Sequence, residues 1–153
     1  MIRRARRGWA LALILGASLC GTGCVDTELG LDAVIDSARV TVAADGNVTV
    51  RIDITYRVGE YAEESRVFQP QGMEVYTSDD VLVARTSVTA PPTFRTNVDP
   101  GESFSAPLLG MDDMATDPSA ICGTEVRVLF RWLDATMMEI GQTSAVTSDV
   151  TCE

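Results

Sequence analysis

Four cysteines, 22 acidic side chains and a complete lack of histidine and lysine set the chemistry open to this chain. Cys20 and Cys24 lie close together in "LCGTGC", while Cys122 and Cys152 stand far downstream. The spacing of the first two is C-x-x-x-C, not the C-x-x-C of a redox or zinc knuckle. Without an imidazole there is no Ser-His-Asp triad, and a cysteine nucleophile lacks its usual base. Without lysine there is no Schiff base. Phosphate loops and dinucleotide fingerprints are absent. Two carboxylates could hydrolyse a glycosidic bond, but nothing in the spacing singles out a pair. No catalytic or cofactor-binding residue is therefore assigned, and the chain is not expected to be an enzyme. Oxygen ligands make calcium the best metal candidate. Asp112, Asp113 and Asp117 cluster in one segment, and Asp79 and Asp80 in another. Neither segment has EF-hand spacing, so the expected reading is solvated acidic loops, with no metal ligand assigned.

The opening pair of cysteines is explained by what precedes it. Arg3, Arg4, Arg6 and Arg7 form a positive head, and Trp9 to Leu19 is an apolar run. Small residues follow. This is the pattern of a secretory signal peptide, and the run is shorter than the roughly 20 residues of a membrane-spanning helix. Gly21 and Gly23 provide small residues at −3 and −1 of a cut before Cys24. Thr22, Gly23 and Cys24 also resemble the lipobox of bacterial lipoproteins. That resemblance implies that residues 1–23 are removed and that Cys24 becomes the lipidated first residue. An ordinary signal peptidase would cut at the same place, so the two readings differ only in lipidation. The residue after the cysteine is Val25 and not the Asp that retains lipoproteins in the inner membrane. The resemblance thus implies an outer-membrane anchor, facing the periplasm or the cell surface. It also makes "NVT" at 47–49 a chance match to a glycosylation motif.

With the signal removed, eight arginines face 22 acids, a net charge of −14. Such a chain repels phosphate backbones, which argues against nucleic acid as a partner. Cys20 leaves with the signal and Cys24 takes lipid, so Cys122 and Cys152 are left with each other. If "DATMM" turns a final hairpin, facing residue numbers sum to about 272–276, which puts Cys122 opposite Cys152 at its open end. A structural disulfide is expected, as an exported compartment permits.

The remaining chain reads as strands. "VTVRIDITYRV", Val48 to Val58, alternates strictly over eleven residues, one face apolar and the other polar. "ADGN" before it signals a hairpin with Ala38 to Ala43. "GEYAEES" is a polar connection. A short strand at Val67–Phe68 is expected to break at "QPQG". Met73–Thr77 and Val81–Ser87 flank "SDD" as a hairpin. "TAPPT" is a loop. Phe104–Leu109 is extended, "GMDDMATDPSAICG" is a long acidic loop, and Glu125–Leu133 is a strand. In that strand Phe130 and Trp132 share parity with Val126 and Val128, which predicts core. Ile140–Cys152 returns as one last strand. Seven to nine short strands without an amphipathic helix predict an all-β fold, an antiparallel two-sheet immunoglobulin-like sandwich, with a small barrel as runner-up. The expected organisation is a signal peptide over 1–23, an anchor cysteine and short tether over 24–36, and a β domain over 37–153. The second half of the tether could instead form a first strand.

These observations point to a lipid-anchored cell-envelope protein that binds or scaffolds. Its partners would be the membrane, through the anchor, and an envelope protein. The alternative is a secreted or periplasmic inhibitor or enzyme accessory that engages a target through "TAPPT", "GMDDMATDPSAIC" or "DATMM". The outer-face residues Arg51, Asp53 and Arg57 could contact a partner, though such faces are usually only solvated.

Overall fold

Alternation dictates the central strand. Val48, Val50, Ile52, Ile54, Tyr56 and Val58 are all buried, and Arg51, Asp53 and Arg57 between them are exposed. The computed structural model describes residues 29–153, except for the side chains of residues 112–114. Its strands are β1 (Leu31–Val42), β2 (Val48–Val58), β3 (Arg66–Thr77), β4 (Leu82–Thr89), β5 (Asn97–Val98), β6 (Ser103–Ala115), β7 (Val126–Asp134), β8 (Glu139–Thr147) and β9 (Val150–Cys152). A 3-10 turn over Pro118–Ile121 separates β6 from β7.

The "ADGN" signal is realised as the β1–β2 turn. Gly46 takes φ 85° and donates to the Ala43 carbonyl at 2.8 Å. The Asp45 carboxylate accepts from the Asn47 backbone N–H at 3.0 Å. Only a residue tolerant of positive φ suits the glycine position.

The fold is all-β, as expected, but the strands follow one continuous path, β8-β7-β3-β4-β6-β2-β1-β9, with β5 on β3. An immunoglobulin-like pair of sheets is not confirmed by this order. The sheet is mixed and curls into a half-barrel. Its curl is tied by the last segment. β8 and β9 lie at opposite ends of the strand order, yet only Ser148 and Asp149 separate them in sequence. The chain leaves β7 at Thr147 and joins β1 at Val150, where the pairing is parallel. Val40 N–H donates to the Asp149 carbonyl at 3.0 Å, and the Thr147 hydroxyl to the Ala38 carbonyl at 2.7 Å. The two edges therefore meet at this end of the strands.

Four expectations are corrected. Residues 31–36 belong to β1 and not to a tether, because Leu31, Ala33 and Ile35 are buried against β2. "QPQG" does not end a strand. β3 runs through it on a bulge between Pro70 and Gly72, which accommodates the missing proline donor. Residues 110–115 of the supposed acidic loop belong to β6. The last strand is two pieces, because it changes neighbour at Ser148–Asp149.

The concave side is lined by aromatics. Tyr56 stacks on Phe68 at 4.6 Å between ring centres, and Trp132 lies 5.9 Å from Phe68 and 5.8 Å from Phe130. Phe130 and Trp132 are core, as their parity predicts. Trp132 pairs across the strands with Gly141, and any Cβ there would overlap the indole ring. The glycine is required by close approach and not by its φ.

Candidate functional site

Arg51 and the "TAPPT" loop, read separately in the sequence, meet on the outer face. β2 places Arg51 opposite Leu109 of β6. Thr89 ends β4 opposite the same Leu109, and the chain then turns away through Ala90, Pro91 and Pro92. Two consecutive prolines cannot continue the ladder, so the strand ends there. Together with Pro107 and Leu108 these residues line a shallow groove of about 340 Å³. Its walls are aliphatic and its charged member is the Arg51 guanidinium. Such a groove can hold an apolar chain segment with an acidic group beside Arg51. Asp53 is engaged elsewhere, accepting from the Ser37 hydroxyl at 2.7 Å. Arg57 lies at the other end of β2, outside the groove.

A second polar cluster covers the outer face of β3, β4 and β7. Glu74 is the hub. It accepts from the Tyr76 hydroxyl at 2.7 Å, from Arg85 Nε at 3.2 Å and from Arg131 Nη2 at 3.2 Å. Arg127 stacks 4.4 Å above the Tyr76 ring and reaches Asp80 at 2.7 Å. Two arginines on Glu74, and a third on Tyr76 and Asp80, tie these strands together from outside. The Glu74 hydrogen bond holds the Tyr76 phenol above its ordinary pKa, with burial adding to it. Sequence parity puts Glu74 and Tyr76 on one face of β3, but it does not reveal that β7 and β4 bring the arginines to them.

At the end of the half-barrel where β1 begins, Arg66 is buried. Its nearest carboxylates are Asp134 and Glu64, both at 3.9 Å, too far for a hydrogen bond. Nε and Nη1 are buried without a hydrogen-bond partner, and Nη2 donates to the Leu29 carbonyl at 3.5 Å. Asp134 faces both ways, because its Oδ1 also accepts from the backbone N–H of Thr136 and Met137 and shapes the β7–β8 turn. The sequence gives no warning of a buried arginine here, since Arg66 follows a run of exposed polar residues.

Cys122 and Cys152 form the expected disulfide, with 5.9 Å between Cα atoms. They do so by a different route from the one inferred. Cys152 is not on the β7–β8 hairpin. It sits in β9, paired with Val42 of β1, and Cys122 caps the 3-10 turn. Cys24 lies outside the described residues, as do the side chains of Asp112 and Asp113. Asp117 takes φ 51° and accepts from the Ser119 hydroxyl at 2.7 Å. Asp80 is paired with Arg127. Among the described residues no group of acidic or cysteine side chains has a metal-holding arrangement, and no helix is long and apolar enough to cross a membrane.

Compared with known proteins, the chain matches no protein-family model and no curated protein. The functional reading therefore rests on the residues themselves.

Proposed function

We propose that this protein is a lipid-anchored module of the bacterial cell envelope, held through Cys24 and acting by binding or scaffolding without catalysis. The observation that carries the reading is the N-terminal pattern: an arginine head, an apolar run, and Thr22–Gly23–Cys24. The fold is compatible with it. β1 begins at Leu31, seven residues after Cys24, so a sheet would follow almost directly on the anchor. A diacylated or triacylated cysteine carries more than one chain, which suffices for stable attachment. Val25 after the cysteine favours the outer membrane.

A second reading, an exported inhibitor or accessory domain, is favoured by the groove beside Pro91 and Pro92. On that reading the groove takes an apolar segment of the target.

Detergent phase partitioning of the wild type and Cys24→Ser, with intact-mass analysis, separates the two. The anchor reading expects wild type in the detergent phase with added acyl mass, and the variant in the aqueous phase. Both proteins in the aqueous phase without acyl mass would reject the anchor and leave the second reading.

A further inference from the structure

We infer that the end of the half-barrel carrying the β7–β8 turn rests on the surface of a zwitterionic lipid bilayer. This inference builds on the anchor reading. Ten large hydrophobic side chains are exposed among the described residues, and five of them, Leu29, Tyr61, Met137, Met138 and Ile140, belong to this one end. Strand directions place them there. β1 starts, β2 ends, β3 starts, β7 ends and β8 starts at this end. Contacts across the mouth tie them together. Arg66 joins the Leu29 carbonyl to Asp134, Asp134 orders Met137, and Gly59 N–H donates to the Gly30 carbonyl beside the Tyr61 turn. Met138 and Ile140 are each 75% exposed, and Tyr61 66%. Unbranched methionines and an interfacial tyrosine are side chains that enter a headgroup region at low cost.

Chain length decides what covers this end. Four residues lie between Cys24 and Leu29. Whatever their conformation, the five steps from Cys24 to Leu29 span at most about 17 Å. A lipidated Cys24 therefore keeps this end, and not the opposite one, against the bilayer. Charge selects the lipid. Glu60, Glu63, Glu64, Asp99 and Glu102 lie in the connections at this end and outnumber its exposed Arg57 and Arg95, so an anionic headgroup layer would be repelled and a zwitterionic one tolerated.

The test uses the acylated protein reconstituted in phosphatidylcholine vesicles with brominated chains. Once the signal is removed, Trp132 is the sole tryptophan and is buried. Met137→Trp and Ile140→Trp each place a probe at the mouth, and Val81→Trp places one at the opposite end. Near-UV circular dichroism checks each fold, and two mouth positions guard against one failing to fold. The expected result is a roughly two-fold loss of emission for both mouth probes, with none for Val81→Trp. Exchange of part of the phosphatidylcholine for phosphatidylglycerol lowers the quenching. Three unquenched probes on protein that still floats with the vesicles overturn this inference and leave the anchor standing. Equal quenching at Val81 overturns it too, as does stronger quenching with phosphatidylglycerol. Protein that does not float rejects the anchor and this inference together.

Discussion

Trp132 lies flat on Gly141 because the position has no Cβ, and the indole in turn supports Phe68 and Phe130. Gly141→Ala should therefore push the ring out of place, at a cost of about 1–3 kcal/mol from overpacking. Urea denaturation reads the loss, and a red shift of Trp132 emission reads the displacement; unchanged emission would contradict the packing. Two tyrosines make a different prediction. Burial raises the Tyr56 pKa, and the hydrogen bond to Glu74 raises that of Tyr76. Each phenol holds its proton more tightly when folded than when unfolded. Its contribution is complete below the ordinary tyrosine value of about 10 and is lost as pH rises through the folded value. Denaturation midpoints at about pH 9 and 11 should fall on the alkaline side, and Tyr76→Phe should flatten that fall. Parity along the chain announces Trp132 and Tyr56 as core. It is silent on Gly141, whose role exists only after β7 and β8 pair.

β9 is three residues long, and its side chains are half-buried or exposed. Its parallel pairing to β1 alone gives little reason for it to stay. The Cys122–Cys152 bond supplies one, closing a loop of sequence separation 30. Cys122→Ser with Cys152→Ser should cost about 3–4 kcal/mol by the chain-entropy argument. Hydrogen exchange should rise at Val40 and Val42, which face β9, before it rises in β2. Equal protection in β1 with and without the bond would show that β9 holds unaided. Elements with one clear period-2 apolar face, β2 and β7, are legible to within a residue or so at each end. Those with an irregularity are not. The Pro70 bulge in β3 and the neighbour change at Ser148–Asp149 look in sequence like a break and a continuous strand respectively. A bulge preserves pairing across a proline, and a strand that changes partner keeps its alternation, so local pattern reports neither.

For the whole molecule, charge is the dominant long-range quantity. The chain from Cys24 onward carries a net −14, and its exposed ion pairs, Arg39–Asp149 and Arg127–Asp80, are individually weak. Self-repulsion outweighs them, so the melting temperature should rise when sodium chloride goes from about 10 mM to 300 mM. A fall would mean that local pairs dominate. All-β class and cysteine pairing are legible from composition and periodicity. The outer groove and the curl are not, because both depend on which strands become neighbours. The two-residue link between β8 and β9 sets an order of events. The first strand and residues 150–152 are more than a hundred positions apart, and Arg39 and Asp149 meet only when both are present. A chain that emerges N-terminus first can pair β1 with β2 early. It cannot fasten its seam until its final strand has emerged. During that interval β1 offers a bare edge to any neighbour, and this is the period in which a chaperone would have something to guard.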